Sequence, residues 1–139
     1  MIEIDALGFA YPEAEFFLRI PEFAVASREK VAVIGPSGSG KTTLLNLVAG
    51  ILQPREGRVH CAATEVSALG DAARRDFRIS TIGFVFQDFE LLDYLNVLDN
   101  ILHPYRITRA LRLTAAVRDR AVDLAGQMGI GDKLTRGVE

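Results

Sequence analysis

The chain has 139 residues, of which 49% are apolar and 24% are charged, and its formal net charge is −2. This length allows one domain with a buried core, and the charge balance gives no electrostatic reason to expect a nucleic-acid partner. The single cysteine, Cys61, excludes an internal disulfide and a cysteine-built zinc site. Because there is no run of about 20 apolar residues for a membrane span and no basic start of a signal peptide, we expect a cytoplasmic protein.

Short apolar runs within the first 26 residues predict a small antiparallel sheet. Ile2, Ile4 and Ala6 alternate with acidic residues, as in a half-buried strand. Two further runs, 17–20 and 23–26, lie on either side of Pro21. Because proline cannot donate a backbone hydrogen bond, Pro21 marks an edge or a break in the sheet rather than a central strand.

The next segments predict a strand, a glycine-rich loop and a helix in direct succession. Residues 30–34 form a short, largely β-branched run without polar alternation, which is typical of a strand buried on both faces. The loop follows at Gly35, and residues 42–49 then show helical spacing of apolar side chains. Gly50 stands where a glycine commonly ends a helix.

The rest of the chain predicts further strands and helices. A turn at 54–57 leads to a short strand around Val59, and a second apolar strand spans 81–86. Polar residues 71–78 predict a helix, and another begins near Asn96 and ends before Pro104. A last helix spans 114–128 and is followed by Gly129; its apolar face consists of Val117, Ala121, Leu124, Ala125 and Met128.

The glycine-rich loop carries the chemistry. Gly35, Gly40, Lys41 and Thr42 match all fixed positions of the pattern G-x-x-x-x-G-K-[ST]. Glycines let backbone N–H groups approach a polyphosphate, and the helix that starts at Lys41 adds its free N–H groups. Lys41 supplies a charge for the β- and γ-phosphates, and the Thr42 hydroxyl can ligate Mg²⁺. The alternative is a strand-to-helix loop that binds no ligand. The predicted ATP-binding residues of this segment are Gly35, Pro36, Ser37, Gly38, Ser39, Gly40, Lys41, Thr42 and Thr43.

Beyond this loop, the chain resembles the nucleotide-binding domain of ABC transporters nearly end to end. Four segments carry the resemblance: residues 28–45 around the Walker A loop, 51–59, 82–87 and 96–101. Within the family the chain is similar to the lipoprotein-release and macrolide-export subgroup. The resemblance implies an α/β fold: a P-loop NTPase core with an N-terminal antiparallel β subdomain and part of a helical subdomain, truncated before the later core strands.

The resemblance also implies roles for two residues outside the loop. Tyr11 matches the aromatic position that stacks on adenine in the family; the alternative is a tyrosine that covers the end of a sheet. Gln87 matches the Q-loop glutamine, which in the family contacts Mg²⁺ and the attacking water; the alternative is a polar residue that ends a strand. The implied catalytic residues are therefore Lys41 and Gln87, and the implied metal ligands are Thr42 and Gln87.

The segment after Gln87 is unusually apolar. In the family this region helps to receive a short helix of the transmembrane subunit, so the resemblance implies a partner surface here. The alternative is an ordinary buried stripe. The resemblance further implies that a second ATPase domain completes each ATP site, and that the protein is peripheral to the cytoplasmic face of a membrane. The apolar residues concerned are Phe89, Leu91, Leu92, Tyr94 and Leu95.

Several motifs of the complete family domain have no match in residues 1–139. There is no signature motif, and neither Asp88 nor Asp99 follows a run that fits a Walker B strand. The catalytic glutamate and switch histidine are also without a match. We therefore expect one partial ABC ATPase domain that binds ATP but does not hydrolyse it efficiently, with hydrolysis and transport belonging to the full-length protein.

Two other function classes stay open from the sequence. One is an ABC protein that is not a transporter, which would share both the loop and Gln87. The other is a different soluble P-loop NTPase. Against a GTPase stands the absence of any Asn-Lys pair for reading guanine.

Overall fold

The computed structural model describes residues 1–12, 15–86 and 90–137, which form two compact units, Met1–Arg78 and Ile79–Glu139. We number the strands and helices in chain order. The strands are β1 (Ile2–Ala10), β2 (Phe17–Val25), β3 (Glu56–Cys61) and β4 (Thr64–Glu65). The α-helices are α1 (Lys41–Val48), α2 (Asp71–Thr81), α3 (Val97–Ile107) and α4 (Ala115–Gln127), and short 3-10 turns span Val66–Ala68 and Gly131–Lys133.

The first unit contains a four-stranded antiparallel sheet in the order β2-β1-β3-β4. This arrangement confirms the predicted N-terminal sheet and the predicted strand around Val59. Pro21 lies in β2, which is an edge strand. This agrees with the prediction, because proline has no backbone N–H to donate to a neighbouring strand. The strand nevertheless continues through Pro21, so the two apolar runs beside it form one strand.

A bulge in β1 sets which side chains enter the core. Ala6 has a φ of 47°, and the pairing of β1 with β3 is irregular between Asp5 and Gly8. One extra residue shifts the alternation of side chains by one position. Ile4 before the bulge and Leu7 after it are therefore both buried, whereas Ala6 is exposed, contrary to the simple alternation expected from the sequence.

The bulge also requires a glycine on the facing strand. Gly57 has a φ of 79°, and a Cβ atom built there would lie 2.3 Å from the carbonyl oxygen of Ala6. Only glycine allows this approach. Through Leu47, α1 packs on the sheet and completes its buried core. The residues of this core are Ile4, Leu7, Phe9, Leu47 and Val59.

Two of the predicted strands do not form. Residues 30–34 have no regular structure, and Ile34 is 91% exposed. Residues 82–86 in the second unit are also irregular, and Val85 is 95% exposed. A strand with two apolar faces needs neighbours for its backbone groups and a layer on each face. Among the described residues no strand pairs with either segment, so both predictions are wrong for this structure.

The helices match their sequence signals more closely. The α1 helix ends before Gly50, whose φ is 66°, and α2 extends the predicted 71–78 helix to Thr81. Thr114 caps α4 by accepting a hydrogen bond from the N–H of Val117 at 3.3 Å, and Gly129 follows with a φ of 73°. Met128 is 74% exposed because it lies just past the last helical residue, so its predicted place on the apolar face is wrong.

The α3 helix continues past Pro104 to Ile107, contrary to the predicted end. Pro104 lacks the N–H that would bond back to residue 100, but only three residues follow it in the helix. Asn96 begins α3 by accepting a hydrogen bond from the N–H of Asp99 at 2.8 Å. The second unit packs α3 against α4 around buried Leu102 and Ala121. No helix within the described ranges is long and apolar enough to cross a membrane.

Candidate nucleotide-binding site

The glycine-rich loop precedes α1 and lies on the surface of the first unit. It turns at residues 36–39, where the Ser39 N–H donates to the carbonyl oxygen of Pro36 at 3.3 Å. Gly38 and Gly40 have φ angles of 81° and 95°, which side chains rarely allow. The Gly40 carbonyl accepts the first helical bond, from the N–H of Leu44 at 2.8 Å. The loop therefore joins α1 at Gly40, which has no side chain.

The start of α1 offers donors to an anion. Gly40 is the N-cap residue and provides no side-chain acceptor, and the first turn contains no acidic residue. The first N–H groups of a helix have no partner within the helix, and the helix dipole gives this end a partial positive charge. A phosphate group at this position would accept hydrogen bonds from these N–H groups and would be attracted by the positive end of the helix dipole.

Lys41 folds its side chain back onto the loop. Its Nζ atom donates to the carbonyl oxygens of Gly35 at 2.8 Å and Pro36 at 2.7 Å, and lies 3.5 Å from the Ser39 hydroxyl. The ammonium group is thus held at the loop by its neighbours in sequence. A polyphosphate that enters the loop can replace these neutral acceptors with charged ones, which bind an ammonium more strongly.

The two threonines after Lys41 have different environments. Thr42 is exposed in the first turn of α1. Thr43 is only 7% exposed, and its Oγ1 atom lies 3.1 Å from the hydroxyl of Tyr11. The position of Thr42 agrees with its predicted role at Mg²⁺, which stays a prediction. Within the described ranges no group of three or more His, Cys, Asp or Glu side chains could hold a metal ion.

Tyr11 belongs to an aromatic cluster beside the loop. Its ring meets Phe9 edge to face, with centroids 4.8 Å apart, and Phe16 at a tilt, with centroids 5.9 Å apart. Phe16 also reaches the loop, because a Cβ atom built on Gly40 would lie 3.0 Å from its Cζ atom. The end of β1, the residue before β2 and the start of α1 therefore converge here. Tyr11 packs against the buried core of the first unit, and its adenine-stacking role stays a prediction.

Phe16 is the residue that the sequence analysis missed. The apolar run that predicts the second strand begins at Phe17, but the side chain that reaches the loop is the one before it. A pair of adjacent phenylalanines at the start of an edge strand is the available signal, since alternation must direct one of them toward the core side. Phe17 is 53% exposed, whereas Phe16 is half-buried.

Gln87 lies outside the described residues, together with Asp88 and Phe89. Its predicted catalytic and metal-binding roles therefore stay predictions. Of the apolar residues that follow, Leu91 and Tyr94 are 53% and 75% exposed, and Leu92 and Leu95 are half-buried. The segment thus has both an outward and an inward side, and its role as a partner surface also stays a prediction.

Asn100 on α3 holds this segment in place. Its Oδ1 atom accepts from the N–H of Leu92 at 2.8 Å, and its Nδ2 atom donates to the carbonyl of the same residue at 3.0 Å. The Nδ2 atom also reaches the carbonyls of Leu95 and Asn96. The exposed side chains of Leu91 and Tyr94 are therefore presented by a backbone that is fixed to the helix.

Comparisons with known proteins show the family to which this chain belongs. The family model described as "ABC transporter" matches residues 18–139. The lipoprotein-releasing system ATP-binding protein LolD of Pseudomonas syringae pv. tomato is 40% identical over 131 residues, which are 92% of this chain and 57% of that protein. The LolD protein of Chromohalobacter salexigens is 43% identical over 125 residues, 88% of this chain and 53% of that protein. The chain thus spans little more than half the length of these relatives.

The fold also matches solved structures of the ATP-binding cassette MJ0796. One is a dimeric post-hydrolysis state bound to ADP and phosphate; it superposes with a TM-score of 0.81 at 26% identity. The match covers 99% of this chain and 61% of that one. A dimeric structure of MJ0796, described as a bacterial ABC transporter cassette, gives the same TM-score and coverage. The motif, the family model and the fold agree, and the chain belongs to the ABC transporter family as a partial P-loop ATP-binding cassette.

Proposed function

We propose that this chain binds ATP with Mg²⁺ through residues 35–42 and is part of the ATP-binding subunit of a membrane transporter. The observation that carries the proposal is the position of Lys41. Its ammonium group is held by the carbonyl oxygens of Gly35 and Pro36 directly beside the uncapped start of α1. A cation and free N–H donors that face one turn are the requirements for a polyphosphate site.

Each part of the nucleotide has a proposed contact. Lys41 takes the β- and γ-phosphates, the loop N–H groups take the remaining phosphate oxygens, and Thr42 takes Mg²⁺. Tyr11 offers a ring for the base. Gln87 is proposed as the group that orients the attacking water, because an amide can accept from water and donate to phosphate.

We further propose that the 139-residue chain turns over ATP slowly. Phosphoryl transfer needs a fixed metal ion, a positioned water and compensation of the charge on the γ-phosphate. Lys41, Thr42 and Gln87 supply only part of this set. We propose that the remaining groups belong to the full-length protein; the relatives are longer than the region they share with this chain, which supports the proposal.

The proposed partners come from the relatives and from the structural neighbour. The relatives are named as ATP-binding proteins of lipoprotein-releasing systems, and the neighbouring cassette is dimeric. We propose that the full-length protein pairs with a second ATPase domain and acts on membrane subunits at the cytoplasmic face of a membrane. The segment with exposed Leu91 and Tyr94 is the proposed contact with those subunits.

The experiment is a calorimetric titration of the chain with ATP and Mg²⁺, followed by an assay of phosphate release. We expect saturable binding at one site, a large loss of affinity in the K41A variant, and phosphate release near the background rate. An equal affinity of the K41A variant and the parent chain would contradict the proposed site. Fast phosphate release that the K41A variant abolishes would contradict only the proposal of slow turnover.

A further inference from the structure

The hydrogen bond between Tyr11 and Thr43 joins two parts of the candidate site that are 32 residues apart in sequence. Tyr11 follows the last residue of β1, and Thr43 lies in the first turn of α1. The glycine-rich loop ends at the same turn. This one bond therefore links the aromatic cluster to the helix that follows the loop.

Thr43 is buried, so its hydroxyl group needs a hydrogen-bond partner within the protein. Thr43 is 7% exposed, and among the described residues it is the only polar one buried to this degree. A buried hydroxyl without a partner is costly, and the Tyr11 hydroxyl at 3.1 Å is the partner that the structure gives it. Because a hydroxyl carries one donor and two acceptor positions, Thr43 can serve Tyr11 and still retain hydrogen-bonding capacity.

The bond also limits the motion of the Tyr11 ring. A tyrosine side chain turns about two torsions. The contacts with Phe9 and Phe16 restrict the plane of the ring, which carries the hydroxyl oxygen rigidly at its far end. The hydrogen bond fixes that end relative to α1. A flat ring held at a set distance from a phosphate-binding turn is already arranged for a ligand that has both a base and phosphates.

We propose that Thr43 is a positioning residue: its buried hydroxyl holds the Tyr11 ring in place for the nucleotide base and thereby favours nucleoside triphosphates over bare polyphosphates. This inference rests on the proposed function, since it concerns the same site. It assigns to Thr43 an action through Tyr11, separate from any contact of Thr43 with phosphate.

The test compares two probes, ATP and inorganic tripolyphosphate, each with Mg²⁺, by competition against a fluorescent nucleotide. The readout is the affinity for ATP divided by the affinity for tripolyphosphate. Tripolyphosphate can bind to the loop but has no base, so the ratio reports the contribution of the base. We expect the T43V variant, which loses the hydroxyl but keeps the shape, to lower this ratio about threefold to tenfold, the range for one hydrogen bond. The Y11F variant, which keeps the ring but loses its hydroxyl, should lower the ratio by a similar factor.

Two further variants separate positioning from a structural role. The T43S variant keeps a hydroxyl at the same position and should restore most of the ratio. The double variant T43V/Y11F should lower the ratio no further than either single change, because both remove the same bond. The matched control is T135V, which removes an exposed threonine hydroxyl in the other unit.

Three outcomes would overturn the inference. If T43V weakens both probes by the same factor, Thr43 acts on the phosphates or on the fold and not through Tyr11. If the double variant lowers the ratio by the product of the two single-variant factors, the two residues act independently. If the parent chain binds tripolyphosphate and ATP equally, no base preference exists for Thr43 to support. That last result would leave phosphate binding by Lys41 intact, whereas failure to bind either probe would overturn the proposed function as well.

Discussion

Lys41 donates a hydrogen bond from its Nζ atom to the carbonyl oxygen of Pro36, which lies 2.7 Å away. Together with the 2.8 Å bond to Gly35, this contact holds a long, flexible side chain at the loop. Part of the entropic cost of ordering the lysine is therefore already met. In the proposed ATP complex, phosphate oxygens would replace these neutral carbonyl acceptors.

Replacing Lys41 by alanine should weaken ATP binding by about tenfold to a hundredfold, because a hydrogen bond to a charged group contributes about 1.5–3 kcal/mol. The K41R variant should recover little of this loss, since a planar guanidinium does not fit the compact position of an ammonium. Calorimetric titration measures both. The control is K133A, which removes an exposed lysine in the second unit and should leave the affinity unchanged.

The glycines of the loop should differ in their tolerance of alanine. Both Gly38 and Gly40 have positive φ angles, so each substitution should cost about 1–2 kcal/mol of conformational strain. At Gly38 the new Cβ atom meets nothing within 4 Å, whereas at Gly40 it meets Phe16 at 3.0 Å and Leu18 at 3.3 Å.

The G40A variant should therefore unfold at a lower temperature than G38A, as circular dichroism would measure. The two variants are each other's control, since they share the loop and the sign of φ. Equal unfolding temperatures would mean that the Phe16 ring moves aside freely and does not brace the loop.

The packing of α1 on the sheet can be tested with two leucines of the same helix. Leu47 is 1% exposed and Leu45 is 52% exposed. The L47A variant should lower the free energy of unfolding by about 2–5 kcal/mol, because it opens a cavity between α1 and the sheet. The L45A variant should change it by less than about 0.5 kcal/mol. Urea titration measures both, and similar losses in the two variants would show that α1 packs through a different face.

The exposed segment 30–34 gives a test of the strand that does not form. Ile34 is 91% exposed, so the I34S variant should change the free energy of unfolding of this chain by less than about 0.5 kcal/mol. It should also raise solubility, since it removes an apolar side chain from the surface. A loss of more than about 2 kcal/mol, as expected for a buried isoleucine, would show that the segment is packed in solution.

Local sequence signals predicted several parts of this fold well. Thr114 and Asn96 cap helices at the two positions where the sequence predicts helix starts, and Gly50 and Gly129 follow helix ends. The glycine-rich loop leads into α1 at Lys41, as the fixed spacing of its glycines, Lys41 and Thr42 predicts, and phosphate binding there stays a prediction. Each of these features depends on contacts within a few residues, so the sequence alone determines it.

Other features depended on contacts between distant residues. The bulge at Ala6 requires Gly57 on another strand, and the position of Phe16 against Gly40 requires the meeting of β2 and α1. The pattern of residues 30–34 predicts a buried strand. Among the described residues no strand pairs with them, and they are exposed.

The sequence by itself thus determined which residues form the glycine-rich loop and predicts phosphate binding there, because the pattern lies in consecutive residues. Only the tertiary structure decided which groups surround the loop. The bond between Tyr11 and Thr43 spans 32 residues, and no local periodicity encodes a distance of 3.1 Å between their hydroxyls. The reason is physical: local preferences act over one or two turns, whereas such contacts exist only after the sheet and helix have packed together.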